Sequence, residues 1–100
     1  MNNSDVLTKA TQIINKITEI IENNDPHGLV DVDLNDGILT IINDNGTYVI
    51  NKQSAAQEIW LSSPVSGPYH FALINDKWSS RKGFELLKVL RQELNIEINE

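Results

Sequence analysis

The sequence has no cysteine. That excludes disulfides, thiolate zinc sites, a cysteine nucleophile and any thiolate-held iron–sulfur cluster. It also suits a reducing compartment. No apolar run comes near the roughly 20 residues that span a bilayer, so no membrane partner is expected. The opening residues Met1-Asn2-Asn3-Ser4-Asp5 carry neither positive charge nor an apolar signal core. A cytoplasmic location is the expectation. There is no glycine-rich phosphate loop. Neither His27 nor His70 has a serine or acid partner at readable spacing, so no catalytic triad and no catalytic residue is expected.

What is present is a chain of 100 residues with 40% hydrophobic content. That is one globular domain over residues 1–100, with a modest core. The net charge of −6 is unevenly placed. Eight acids (Asp5, Glu19, Glu22, Asp25, Asp31, Asp33, Asp36, Asp44) and only two bases (Lys9, Lys16) lie in residues 1–45, whereas residues 46–100 are neutral. The asymmetry argues against nucleic acid and toward cations or a basic partner surface.

Residues 4–23 read as a helix. Val6, Ala10, Ile13, Ile14, Ile17 and Ile21 recur at helical spacing, and Thr8, Gln12, Asn15, Glu19 and Glu22 follow the opposite stripe. Asn3 or Ser4 would cap it, and Asp5 suits the positive end of its dipole. Residues 29–34 alternate, with Val30, Val32 and Leu34 on one face and Asp31 and Asp33 on the other. Asp36-Gly37 signals a hairpin turn into a strand over 38–42. Residues 43–46 turn again into a strand at 48–50, and a loop at 51–56 leads to a strand at 59–61. After a loop at 64–68, a strand at 69–74 and a turn at 75–77 lead to a short strand at Trp78. Ser79 or Ser80 would cap a final helix that places Phe84, Leu87, Leu90, Arg91 and Leu94 on one side, with Leu86 flanking and Arg91 snorkelling at the edge. Ile96 and Ile98 could cover the end of the gap between the helices. Helix, five or six antiparallel strands, helix is an α+β two-layer sandwich, with both helices on one face of the sheet.

Two groups of residues invite a function. Glu19, Glu22, Asp25, Asp31 and Asp33 would form one acidic ridge if the first strand lies at the sheet edge beside the first helix. Oxygen ligands on a half-open ridge suit hard divalent cations, bound weakly and without strong selectivity. A solvated acidic face that serves solubility is the alternative, and the sequence leaves both open. Asp5 and His27 are additional candidates; a lone loop histidine is more often solvent-exposed than a ligand. The second group centres on Trp60. Alternation with Ile59 and Leu61 directs its indole to the face without helices, beside Glu58 and Ser62, where a partner could meet it. Cover by the 51–56 loop is the alternative. His70 is expected on the sheet surface and Trp78 in the core.

The runs Gly46-Thr47-Tyr48-Val49-Ile50-Asn51-Lys52-Gln53, Ile59-Trp60-Leu61-Ser62-Ser63-Pro64 and Ser66-Gly67-Pro68 resemble the signature of the frataxin family. The match extends in order and spacing over nearly the whole chain, and the bacterial CyaY-type branch fits its length. The resemblance implies the same two-layer sandwich. It implies weak binding of ferrous and ferric iron on the acidic ridge, with other divalent cations able to substitute. It implies an accessory role in iron–sulfur cluster assembly, with cysteine desulfurase and the iron–sulfur scaffold protein as partners. Asn51, Gln53 and Trp60 would meet the scaffold. Iron donation and regulation of the desulfurase are both compatible with it, as is a pure interaction role with incidental metal. A ferroxidase is less favoured, because no Glu-x-x-His pattern offers a buried di-iron site, and no enzyme activity is expected. A monomer is expected, with oligomers when iron is present. Family members are often more densely acidic where this chain has Thr11, Thr18, Asn23, Asn24 and Leu29, so weaker or fewer sites are expected.

Overall fold

The computed structural model describes residues 3–25 and 28–97, with side chains from residue 5 onward. His27, Ile98 and the capping side chains of Asn3 and Ser4 lie outside the described residues. Helix α1 (Asn3–Asn23) is followed by strands β1 (Asp31–Asn35), β2 (Ile38–Asn43), β3 (Gly46–Gln53), β4 (Glu58–Ser63), β5 (Gly67–Ile74) and β6 (Lys77–Ser79), then helix α2 (Leu86–Leu94). The strands form one six-stranded antiparallel sheet in the order of the chain. Both helices pack on one face of it.

Short turns make this order easy to reach, because each strand finds its neighbour through a local hairpin. Asp36 and Gly37 between β1 and β2, and Asn75 and Asp76 between β5 and β6, all have positive φ. Two consecutive residues of that kind make the turn whose twist suits a hairpin, and Asn, Asp and Gly reach it at least cost. The side chain of Asn43 accepts a hydrogen bond from the Asn45 amide at 2.9 Å, closing the β2–β3 turn.

One core joins the layers. Ala10, Ile14, Ile17 and Ile21 of α1 meet Leu39, Ile41, Tyr48, Ile50, Ile59, Leu61 and Phe71 of the sheet and Leu86, Val89, Leu90 and Leu94 of α2. Trp78 is buried in it, as its position between a turn and the last helix implies, and Ile96 is buried with it. Thr18 is also buried, its hydroxyl donating to the Ile14 carbonyl at 2.9 Å. It does not belong to the outer surface of α1, where the sequence expectation put it. Ile13 is half-buried, at the side of the helix, not within the core face.

The last helix begins later than expected. Ser80 does not cap it; the Ser80 hydroxyl accepts from the Phe84 amide at 3.0 Å, and the Ser80 amide donates to the Phe84 carbonyl at 2.8 Å. Gly83 at φ +89 turns the chain, and Glu85 is still extended. These bonds hold 80–84 as a closed loop, which delays the helix by one and a half turns. Phe84 is therefore 48% exposed and not part of the buried stripe, which is Leu86, Val89, Leu90 and Leu94. Arg91 is exposed. Residues 51–53, expected in a loop, extend β3, and only 54–57 connect β3 to β4.

The far end of α2 is tied down by Glu93. Ser63 donates to one of its carboxylate oxygens at 2.6 Å and Ser66 donates to the other. Burial first, and the Glu93 charge next to it, push the Tyr48 hydroxyl above the usual tyrosine pKa. The same end holds a close approach of Gly46 to the Pro64 ring. Gly46 has φ +129, and a Cβ there would lie 2.9 Å from the Cβ of Pro64. Gly46→Ala combines strain at that φ with overpacking, so a loss of about 1–3 kcal/mol is expected. Thr47→Ala, at an exposed neighbour, should stay within about 0.5 kcal/mol. Urea denaturation of the two variants side by side checks the difference.

Candidate functional site

The acidic residues are distributed by the same alternation that builds the core. β1 is an edge strand and packs beside α1. Val32 pairs with Ile41 and Leu34 with Leu39, so these side chains join the helix side. Asp31 pairs with Ile42 and Asp33 with Thr40, so both carboxylates leave on the opposite, open face. Glu19 and Glu22 are exposed on α1. The expected ridge is thus divided by the sheet edge, with two glutamates on the helix layer and two aspartates across from them on the open face. Among the described residues no three potential metal ligands converge.

Asp25 is committed elsewhere. Its two carboxylate oxygens accept from the amides of Leu29 at 2.8 Å and Val30 at 3.0 Å. It thereby orders the segment that leads into β1, and only its remaining lone pairs are open to a ligand. Asp5 stands in the first turn of α1, far along the helix from Glu19 and Glu22. The α1 surface facing the β1–β2 end is also not purely acidic, because the Lys52 ammonium donates to the Thr11 hydroxyl at 3.0 Å. Such an arrangement can bind a hard cation through one or two carboxylates with water completing the shell; it cannot enclose one.

Trp60 lies where alternation put it, on the open face. A single row crosses that face by direct pairing: Asn35, Ile38, Asn51, Trp60, His70. The indole is half-buried, not bare. One side of it stacks on His70, with ring centroids 4.1 Å apart and planes 9° off parallel. Its Nε1–H donates to Glu58 Oε1 at 2.9 Å. A hydrogen-bonded, stacked ring is held in one orientation, so little rotamer entropy remains to be lost on binding. Asn51 sits directly opposite Trp60, and Gln53 opposite Glu58. The three residues assigned to one surface by the resemblance therefore share it. Of the 51–56 segment expected as a loop, residues 51–53 are strand, so Asn51 flanks the ring from the neighbouring strand.

Two features of this face escaped the reading of the sequence. His70 is the stacking partner of Trp60, which requires the β4–β5 register. Ile38, Ile42 and Ile74 are each more than two-fifths exposed and give the face an apolar character. Their even spacing from Thr40 and from Ala72 on the same strands was the available signal. Asp31 and Asp33 stand on this face too, three strand spacings, or roughly 14 Å, from the β4 column that holds Trp60. Asp31, Asp33 and the tryptophan are consequently not on separate sides of the molecule, whereas Glu19 and Glu22 are across the sheet edge from it.

The two tryptophans should respond differently to removal. Trp60→Ala loses a stacked pair and a peripheral hydrogen bond, at about 1–2 kcal/mol. Trp78→Ala opens a cavity beside the core, at about 3–5 kcal/mol. Equal losses in chemical denaturation would contradict the half-exposed setting of Trp60.

A frataxin-like domain family matches residues 2–100 of this chain. The mitochondrial frataxin homolog of Saccharomyces cerevisiae is 40% identical over 89 residues, covering 87% of this chain and 51% of that protein. Mitochondrial frataxin of Dictyostelium discoideum is 48% identical over 69 residues, covering 65% of this chain and 36% of that protein. The chain thus spans about half the length, or less, of these relatives. Frataxin from Psychromonas ingrahamii, described within the CyaY protein family, superposes with a TM-score of 0.80 at 30% identity, covering 99% of this chain and 97% of that one. Trimeric yeast frataxin complexed with ferrous iron superposes with a TM-score of 0.80 at 36% identity, covering 87% of this chain and 82% of that one.

Proposed function

The chain belongs to the frataxin family, a family generally linked to iron binding and iron–sulfur cluster biogenesis, and on that premise we propose that it is an iron-binding accessory protein of cluster assembly. The observation that carries the proposal is the pairing of exposed, unclustered carboxylates at the α1–β1 corner with a pre-oriented tryptophan on the adjoining open face. Iron here is cargo. Glu19 with Glu22, and Asp31 with Asp33, would each offer oxygen ligands in pairs, and water would fill the remaining positions. Weak, fast-exchanging binding follows, which suits handing the ion on. Other divalent cations would compete, because carboxylates alone select poorly.

The partners would be cysteine desulfurase and the iron–sulfur scaffold protein. The acidic corner would dock electrostatically on a basic patch, in a salt-sensitive way. Asn51, Gln53 and Trp60 would meet the scaffold, with Trp60 as the anchoring aromatic. The bacterial likeness along almost the full chain favours a cytoplasmic setting. The trimeric, ferrous-bound yeast neighbour supports oligomers formed with iron from a monomer. Regulation of the desulfurase and donation of iron are both served by this geometry. A ferroxidase is less well supported, since no Glu-x-x-His pattern exists and no three ligands converge among the described residues. The protein would act without catalysing a reaction of its own.

Titration with ferrous iron under argon should perturb amides around Glu19, Glu22, Asp31 and Asp33, at micromolar or weaker affinity and less at high salt. At a hundredfold excess over Kd, binding to the folded state alone adds about 2.7 kcal/mol of stability. Perturbations confined to residues 46–100, or a melting temperature unmoved by metal against a sodium control, would overturn the metal assignment.

The partner reading makes a sharper demand. Glu19→Gln with Glu22→Gln should weaken metal and desulfurase binding and leave scaffold affinity intact. Asp31→Asn with Asp33→Asn should alter both, because those acids share the face of Trp60. Trp60→Ala should weaken the scaffold complex by about 2 kcal/mol and leave metal binding unchanged. Desulfurase and cluster-assembly kinetics with iron held fixed then separate regulation from iron supply.

A further inference from the structure

On the helix side, away from Trp60, α1 and the β5–β6–α2 end enclose a groove of about 360 Å³. That volume lies in the range of small-molecule sites. Its floor is apolar and comes from three elements: Ile13 of α1, Leu73 of β5 and Trp78 of β6. Leu73 and Trp78 are paired across the two strands, so the floor is part of the rigid sheet. Its rim carries Lys9, Lys16 and Lys77.

The placement of these lysines is unusual for this chain. Residues 1–45 contain only two bases among eight acids, and both of them, Lys9 and Lys16, line this groove. They share one flank of α1 with Ile13, at spacings of four and three. Lys9 bridges to Asp76 at 3.3 Å. Lys77 stands 3.5 Å from Glu85, whose carboxylate is held by Lys88 at 2.7 Å. The hydrogen bond from Lys88 is the main cause of a lowered Glu85 pKa, so this acid stays charged and its charge stays offset. Lys16 has no carboxylate partner among the described residues. The groove therefore combines an apolar floor with a lysine, Lys16, that has no carboxylate partner among the described residues, on a protein of net charge −6.

We propose that this groove binds a small amphiphilic monoanion, with its apolar body on Ile13, Leu73 and Trp78 and its acidic head on Lys16. The lysine stems extend the apolar wall, and the ammonium group meets the head at the solvent boundary. Charge complementarity selects the anion, and the volume limits the body to a small aromatic or aliphatic group. The inference is independent of the metal and scaffold readings, because Ile13, Lys16, Leu73 and Trp78 belong to neither surface.

The test uses 4-phenylbutyrate, its uncharged counterpart 4-phenylbutanamide, and acetate as a head without a body. Binding is followed by the Ile13 and Leu73 methyl signals and the Trp78 indole N–H signal in NMR titration. Phenylbutyrate should shift these signals saturably, and both the amide and acetate should bind more weakly. Lys16→Gln, an exposed substitution, should reduce phenylbutyrate affinity about threefold, as expected for loss of one exposed ion pair, and should leave the amide unaffected. Shifts centred on Trp60 and Ile38, equal affinity for acid and amide, or a Lys16→Gln variant that binds phenylbutyrate normally would each overturn the proposal.

Discussion

Neighbouring side chains on a strand must leave the sheet in opposite directions, and in this protein the two helices cover only one of those directions. Almost every feature follows from that. The covered side takes Leu39, Ile41, Tyr48, Ile50, Ile59, Leu61 and Phe71 out of water together with the stripes of both helices. The uncovered side keeps whatever lies between them in the sequence. Trp60 is on the open face because Ile59 and Leu61 cannot be, and Asp31 and Asp33 are there because Val32 and Leu34 cannot be. A shift of one residue in any register would exchange the two faces, so the core itself guards the placement of the surface residues.

The same constraint relates the acids to the tryptophan. β1 is the edge of the sheet and lies beside α1. A cation held at Asp31 or Asp33 would stand on the surface that carries Asn51, Gln53 and Trp60. A cation held at Glu19 or Glu22 would stand around the edge from it. An acidic corner wrapped around a sheet edge thus touches both the helix layer and the open face. Among the described residues it brings no three ligands together, so it is spread too thinly to enclose a metal.

Charge on α1 is arranged as deliberately as its apolar stripe. Lys9 and Lys16 flank Ile13 toward the β5–β6 end, whereas Thr11 and the buried Thr18 face the β1–β2 end, where Lys52 reaches across to Thr11. The helix therefore separates a cationic groove from an acidic edge, with the core stripe between them. Its outer stripe of Thr8, Gln12, Asn15, Glu19 and Glu22 is left to solvent.

The sequence by itself determined the order of elements, the face on which Trp60 lies, the burial of Trp78 and the identity of the acidic residues. Each of these rests on local periodicity or on turn chemistry at Asp36-Gly37 and Asn75-Asp76, and such signals act within a few residues of the chain. What only the tertiary structure decided are matters of pairing. The start of α2 moved because the Ser80–Phe84 bonds and Gly83 hold a loop that helical spacing alone does not reveal. The Asp25 carboxylate was partly engaged because it found the Leu29 and Val30 amides. The acidic ridge was divided because β1 pairs with β2 in a register that faces its aspartates away from α1. The stack of His70 on Trp60, and the lysine-rimmed groove over Leu73 and Trp78, join residues ten and about 60 positions apart, respectively. Periodicity within one element carries no information about which other element will face it; packing the two layers supplies it.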